Sequence, residues 1–145
     1  MDAFVAVPRQ KTIDMGRRVI ECTWAFKRKR YPDGSLKKHK ARLCVRGDLQ
    51  TEGVDYFDTY SPVVQWCTIR LLLIMSCILN LETKQVDFTL AFVHAKAEPG
   101  SFIEMPKGFE LEGYVLELKR NLYGSCDAPL KFYEYLKRGL TQRGV

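Results

Sequence analysis

Residues 24–47 read WAFKRKRYPDGSLKKHKARLCVRG and set the architecture of the front half of the chain. The run from Val19 to Phe26 is rich in β-branched and aromatic residues, which favour a strand. In Tyr31-Pro32-Asp33-Gly34, proline presets the backbone, aspartate can bond back to it and glycine tolerates positive φ. A second strand follows from about Lys38 to Arg46, so the sequence predicts a β-hairpin.

The second strand of this hairpin alternates between charged and apolar residues. Side chains alternate across a strand, which places Lys40, Arg42 and Arg46 on one face together with Cys44. Ala41, Leu43 and Val45 fall on the other face. We expect the apolar face to pack inward and the cations to be presented together.

Positive charge is concentrated in the same hairpin. The formal net charge of the chain is +6, and residues 24–48 carry nine basic and two acidic side chains, or +7, which leaves −1 for the remainder. A localised basic patch is typical of a polyanion-binding surface. A solvated hairpin without a partner explains the charge equally well.

The middle of the chain predicts a long helix and a strand. Ser61-Pro62 resembles a helix start, with serine as N-cap, and the helix should run from Val63 to about Leu79 and stop at Asn80. Its apolar character predicts a buried core helix. The segment Glu82 to Phe88 is typical of a strand, and Asp87 lies at its end.

The last third predicts short elements and a final helix. Residues 89–97 suggest a helical turn, and Phe102–Met105 and Val115–Leu118 suggest strands. A helix should run from Ala128 to about Leu140, with Asp127 as N-cap and an apolar stripe at Pro129, Tyr133, Leu136 and Leu140. The chain as a whole predicts a mixed α+β domain.

Length and cysteine content limit the class of protein. The 145 residues fit one domain or part of a larger one. The start of the chain does not resemble a secretory signal, and Ile69 to Leu79 is too short to cross a bilayer, so we expect an intracellular protein without membrane association. Five cysteines without a close pair favour free thiols over a zinc site.

Five segments in order resemble the copia-type retrotransposon reverse transcriptase domain. They are residues 24–34, residues 40–47, residues 60–72 with Ser61-Pro62, Gln85-Val86-Asp87 with Ala91-Phe92, and Asn121-Leu122-Tyr123-Gly124 with Ala128-Pro129. The resemblance covers the chain from about Val19 to Val145. It corresponds to the front portion of the family's domain.

The resemblance implies an incomplete right-hand polymerase fold. Residues 1–145 would form a single partial domain, with about 19–60 fingers-like and about 61–145 palm-like. A fingers β-hairpin would join a partial palm whose helices pack on a mostly antiparallel sheet. The family's function is RNA-directed DNA polymerisation, so template–primer and deoxynucleoside triphosphates would be its partners.

The resemblance also assigns a metal site. Asp87 matches the first catalytic aspartate of the family, and the backbone carbonyl of Phe88 would reach the second of two Mg²⁺ ions. Magnesium prefers hard oxygen ligands, and a metal pair stabilises the attacking and leaving oxygens of an in-line displacement. Without the resemblance, an acid at a strand end is more often a cap for the next turn than a catalytic group.

Nucleotide contacts are implied at five further positions. Phe92 would exclude a ribose 2′-hydroxyl by bulk, although a core phenylalanine is the alternative. Lys40 or Arg42 would hold the triphosphate, unless they lie on a solvated strand face. Tyr123 and Gly124 would flank the nucleotide and the template base.

The hairpin would also touch nucleic acid through Lys27, Lys29 and Arg46. Around Tyr123 the chain departs from the family, with Ser125, Cys126 and Asp127 replacing Leu, Lys and Gln.

Residues 1–145 contain no Asp-Asp dipeptide, which the family carries downstream. We therefore expect the chain alone not to polymerise. The alternatives are a non-catalytic nucleic-acid-binding remnant and a degenerate product that does not fold stably.

Overall fold

The computed structural model describes residues 2–144. Its strands are β1 (Phe4–Pro8), β2 (Val19–Ile20), β3 (Cys22–Arg30), β4 (Leu36–Val45), β5 (Phe102–Ile103) and β6 (Tyr114–Leu118). Its helices are α1 (Gln10–Asp14), α2 (Trp66–Ile78), α3 (Ala91–His94) and α4 (Ala128–Thr141), with a 3-10 turn at Gly47–Leu49. The mixed α+β prediction is confirmed.

The predicted hairpin forms from β3 and β4. The strands pair antiparallel, with Trp24 opposite Leu43 and a register irregularity after Lys29. At the tip, the Gly34 amide donates to the Tyr31 carbonyl at 2.9 Å, and Gly34 has φ +85°. The Asp33 carboxylate accepts from the amide of the next residue but one at 2.8 Å. Local turn chemistry therefore determines where the hairpin reverses.

A second sheet has the strand order β1-β6-β5-β2. The β1–β6 and β5–β6 pairs are antiparallel, and the β2–β5 pair is parallel. The sheet is therefore mostly antiparallel, as expected. Its edge strand β1 comes from the first twenty residues, where the sequence carries weak signals.

The core joins the hairpin to this sheet. A buried cluster is formed by side chains from β2, β4, β5, β6 and the segment after β6, namely Ile20, Val45, Ile103, Leu116, Leu118 and Leu122. Val45 lies at the base of the hairpin and is 5% exposed, whereas Phe26, nearer the tip, is 75% exposed. The base of the hairpin is thus anchored while its tip projects.

The prediction for α2 is wrong at its start and in its burial. The helix begins at Trp66, because residues 61–65 stay extended up to the N-cap Gln65, whose ψ is 149°. Val63 and Val64 favour extended backbone, which weakens a helix start. No residue of α2 is buried, although the predicted stop is confirmed by the left-handed Asn80. No strand or helix of the described chain covers this apolar helix.

The predicted strand from Glu82 to Phe88 does not form. Residues 81–88 have no regular structure and are exposed. A strand requires a hydrogen-bonded neighbour, and the described residues pair no strand with this segment. Val86, for example, is 71% exposed.

Helices α3 and α4 pack against each other, but only part of the apolar stripe predicted for α4 lies in partly buried positions. Phe132 packs toward α3, whereas Pro129 is exposed and Leu140 is 42% exposed, so the predicted stripe is wrong in these members. Asp127 occupies the N-cap position without a capping hydrogen bond. Its carboxylate instead accepts from the Ser125 hydroxyl at 2.8 Å.

Candidate functional site

The hairpin turns its cationic face toward the body of the protein. Lys40 and Arg42 are half-buried, while Ala41 on the opposite face is exposed. The expected inward packing therefore holds for Leu43 and Val45 at the base of the strand and is wrong for Ala41. The reason is that the hairpin projects beyond the core, so its outer apolar face has nothing to cover it.

Arg42, Tyr123 and Phe92 form a continuous row of contacts. The Arg42 guanidinium carbon lies 5.1 Å from the centre of the Tyr123 ring. That ring meets Phe92 edge to face, with centroids 4.8 Å apart. Arg42 Nε is buried without a hydrogen-bond partner. The structure therefore brings together three residues that the sequence placed in one site.

Phe132 packs against Phe92 and Phe88 and extends this row of aromatic rings. Its ring lies 6.2 Å from Phe92 and 5.5 Å from Phe88, in edge-on geometry in both cases. Aromatic pairs in such arrangements each contribute about 0.5–1.5 kcal/mol beyond their buried area. Phe132 is not among the residues that the sequence singles out, because nothing local in the sequence marks it as the centre of an aromatic cluster.

Two glycines permit the backbone contact beneath Tyr123. The Val45 amide donates to the Tyr123 carbonyl at 2.8 Å. A Cβ at Gly124 would lie 2.2 Å from the Val45 carbonyl oxygen, and Gly124 also has φ +89°. A Cβ at Gly47 would lie 2.1 Å from the Gly124 carbonyl oxygen. The sequence predicted Gly124 beside the nucleotide and template base, whereas the close backbone approaches at Gly124 and Gly47 come only from the structure.

Asp87 lies on the exposed segment in front of α3 and faces the hairpin cations. Lys40 has a pKa below its usual value because of desolvation first, then repulsion from Arg42, Lys29 and Lys38. The negative charge of Asp87 partly offsets this lowering of the Lys40 pKa. The predicted aspartate and the predicted lysine are thus electrostatic neighbours.

The hairpin cations predicted to contact nucleic acid differ in their exposure and in their ion pairs. Lys27 and Lys29 are exposed on β3, where Lys27 lies opposite Lys40. Arg46 is held by carboxylates, with Nη2 2.6 Å from Asp48 and Nη1 3.7 Å from Glu21. Arg46 therefore does not join Lys40 and Arg42 as a free cation.

The described residues do not form a three-ligand metal site or a membrane-spanning helix. The five cysteines are free thiols, and residues 2–144 hold no group of three Cys, His, Asp or Glu side chains placed to share a metal ion. Asp87 is therefore not part of such a three-residue group in the described chain. No helix in that range has the length and apolar character needed to cross a membrane.

Comparison with known proteins identifies the family. The model of the reverse transcriptase (RNA-dependent DNA polymerase) family matches residues 7–145. The retrovirus-related Pol polyprotein from transposon TNT 1-94 of Nicotiana tabacum is 40% identical over 121 residues, which is 81% of this chain and 9% of that protein. The corresponding polyprotein from transposon RE1 of Arabidopsis thaliana is 33% identical over 129 residues, or 87% of this chain and 9% of that protein.

A yeast relative extends the similarity. The transposon Ty1-ER2 Gag-Pol polyprotein of Saccharomyces cerevisiae is 31% identical over 139 residues, covering 92% of this chain and 7% of that protein. The chain thus spans less than a tenth of the length of these relatives. No solved structure matches it.

The chain belongs to the reverse transcriptase (RNA-dependent DNA polymerase) family. The three relatives described above are polyproteins of transposons, which confirms the copia-type resemblance carried by the five motifs. It corresponds to part of the reverse transcriptase domain of such polyproteins.

Proposed function

We propose that the chain forms the nucleotide-facing wall of a right-hand RNA-directed DNA polymerase, with residues 19–60 as fingers and 61–145 as front palm. The observation that carries this proposal is the row of Arg42, Tyr123 and Phe92, with Lys40 facing Asp87. The row joins the hairpin to the α3–α4 pair. An incoming nucleotide would contact the hairpin with its phosphates and the aromatic rings with its sugar and base.

Lys40 and Arg42 would hold the triphosphate. Desolvation, and then repulsion from three other cations, lowers the Lys40 pKa, and a bound polyanion would relieve the repulsion. Arg42 Nε offers a buried donor without a partner. Preorganised cations of this kind neutralise the charge that develops on a leaving pyrophosphate.

Phe92 would select deoxyribonucleotides. Tyr123 and Phe132 contact its ring from two sides, so the ring cannot easily turn away from a larger sugar. A fixed ring rejects a 2′-hydroxyl by steric clash, which is discrimination against the wrong ligand and not attraction to the right one.

Asp87 would be one protein ligand of Mg²⁺, the metal that reverse transcriptases use. The carboxylate is exposed beside the cationic wall, and the adjacent Phe88 carbonyl is a second hard oxygen donor. Magnesium is commonly held by one or two carboxylates together with substrate phosphates, so this donor set fits it. When bound, the metal would stabilise charge on the transferred phosphoryl group.

The template–primer would lie along Tyr123 and Gly124 and the exposed Lys27 and Lys29. Arg46 could reach a template phosphate only by exchanging its bond to Asp48 for one to the nucleic acid. Phosphate contacts of this kind position a strand without reading its sequence.

Equilibrium dialysis of dUTP and UTP, which differ only at the 2′ position, against the chain with Mg²⁺ tests the nucleotide wall. We expect Arg42→Ala to weaken dUTP binding about tenfold, which corresponds to loss of one charge-assisted contact of about 1.4 kcal/mol. Lys37→Ala is the matched control, because Lys37 lies on the same strand over the Tyr31 ring. Phe92→Ala should reduce the preference for dUTP over UTP. Equal effects of Arg42→Ala and Lys37→Ala would argue against the proposal.

Nucleic-acid binding without catalysis is the second candidate function. It is favoured by the exposed positions of Lys27 and Lys29, which can contact phosphates without a nucleotide site. The same dialysis separates the two functions. A chain that binds template–primer but shows no preference for dUTP over UTP supports the second candidate.

A further inference from the structure

A second basic surface lies along α4 and contains no residue of the hairpin. A cleft of about 660 Å³ is formed between residues 94–99, Arg120 and one face of α4. Five of its lining residues are cationic: Lys96, Arg120, Lys131, Arg138 and Arg143. Two are acidic: Glu98 and Glu134. None of these residues belongs to the nucleotide wall described above.

The charges of the cleft are only partly satisfied within the protein. Lys131 forms an ion pair with Glu98 at 2.7 Å, and the Arg120 guanidinium donates to the His94 carbonyl at 3.1 Å. Within residues 2–144, the Lys96, Arg138 and Arg143 side chains make no hydrogen bond or ion pair. Three cations therefore remain available, against the single carboxylate of Glu134.

Aromatic rings line one wall of the same cleft. His94 and Tyr135 stack with centroids 5.9 Å apart and planes 23° apart. Tyr135 also stacks on Phe132 at 6.4 Å, which joins this wall to the aromatic cluster behind Phe92. Tyr135 remains 46% exposed, so part of its ring is open to a ligand.

The spacing of the cations favours a strand over a single phosphate. Of the three available cations, Arg138 lies on the last turn of α4 and Arg143 follows two residues after the helix ends, so the two lie at successive positions along the cleft. Lys96 approaches from the opposite wall. Cations along a groove, combined with an open aromatic ring, are the arrangement that binds single-stranded nucleic acid.

We propose that this cleft, hereafter the α4 cleft, binds a single strand of nucleic acid. Lys96, Arg138 and Arg143 contact successive phosphates, and Tyr135 stacks on a base. The site is separate from the nucleotide wall and does not depend on it. The strand contacts the α4 face that carries residues 131, 135 and 138.

Fluorescence anisotropy of a labelled oligo(dT) tests this proposal. The full chain would carry Lys27→Ala and Lys29→Ala, so that the hairpin contributes less to binding. In that background, Arg138→Ala should lower the slope of log affinity against log salt by about 0.7, the value for one phosphate contact on a single strand. Lys137→Ala is the matched control, because it removes the same charge from the adjacent exposed position outside the cleft.

A second variant separates stacking from simple charge attraction. Tyr135→Ala should weaken oligo(dT) binding about fivefold or more, as expected for loss of one stacked base. It should leave binding to heparin, a polyanion without bases, unchanged. Thermal melts would establish that each variant is folded. Equal salt slopes for Arg138→Ala and Lys137→Ala, or unchanged oligo(dT) binding in Tyr135→Ala, would overturn the proposal.

Discussion

Lys40 and Asp87 carry opposite charges at the point where the hairpin faces the segment before α3. The Lys40 pKa is lowered by desolvation and by three neighbouring cations, and Asp87 partly offsets that shift. Replacing Asp87 with asparagine removes the only favourable charge among these causes. We therefore predict that Asp87→Asn lowers the Lys40 pKa further, as measured by NMR titration of the lysine side chains.

Glu82→Gln is the control for this titration. Glu82 lies on the same exposed segment, but it is not among the charges that influence Lys40. The Lys40 pKa should be unchanged in that variant. A Lys40 pKa that rises or stays constant in Asp87→Asn would show that the two residues do not face each other.

Gly124 allows the backbone of the Tyr123 segment to approach β4. An alanine there has to adopt φ near +89° and to place its Cβ 2.2 Å from the Val45 carbonyl. Gly108 has nearly the same φ, +88°, with open space around it. In urea unfolding, we predict that Gly108→Ala costs about 1 kcal/mol through backbone strain alone. Gly124→Ala should cost at least about 2 kcal/mol more, since it also adds a backbone clash. Equal losses would mean that the close approach is absent.

Residue identities at the site could be predicted largely from motifs, but their roles could not. Arg42, Phe92 and Tyr123 were all named as one site, and the structure places them in contact. The central position of Phe132 could not be predicted, because contacts between residues forty positions apart in the sequence depend on the fold. Arg46 was expected to contact nucleic acid, whereas in the structure its guanidinium is bound by Asp48, two residues later.

At the scale of elements, Glu117 on β6 links the sheet to α1. Its side chain is 11% exposed and lies 2.6 Å from Lys119 Nζ and 3.1 Å from Lys11 Nζ. The hydrogen bond from Lys119, followed by the one from Lys11, holds the Glu117 pKa below its usual value despite desolvation. A carboxyl with a lowered folded-state pKa stabilises the protein above its unfolded-state pKa and loses this effect as pH falls through the folded-state pKa.

Glu117→Gln should therefore destabilise the protein at neutral pH by about 1–2 kcal/mol. The difference in unfolding free energy between wild type and Glu117→Gln should shrink as the pH drops from about 5 toward 3, because the wild-type carboxylate is then protonated. Urea melts at several pH values measure both effects. Glu112→Gln serves as the control, since Glu112 is exposed and forms no ion pair within the described residues. A deficit independent of pH would contradict the ion-pair account.

Elements were predictable where local chemistry determines them and not where distant partners do. The hairpin, its turn and the left-handed stop at Asn80 follow from proline, aspartate, glycine and asparagine at the right positions. The strand expected at residues 82–88 has no neighbour in the described chain and stays irregular. Strand β1 went unpredicted because its stability comes from pairing with β6, more than a hundred residues away.

At the scale of the whole molecule, the chain has a well-packed half and an exposed half. The sheet, the hairpin base and the α3–α4 pair share contacts, whereas α2 exposes Leu72, Ile74 and Ile78 by more than half. Composition alone predicted a buried α2, because an apolar helix normally packs against a neighbour. The residues of α2 alone do not determine whether another element packs against it.

We propose that one nucleotide-binding wall is formed by Lys40, Arg42, Phe92 and Tyr123. Mapping NMR chemical-shift changes during titration of the full chain with dTTP and Mg²⁺ tests it most directly. We predict that the largest changes cluster at these four residues and at Asp87, and that Lys37 and the α4 cleft change little. Changes spread evenly over the basic hairpin, or concentrated away from Tyr123 and Phe92, would contradict the claim.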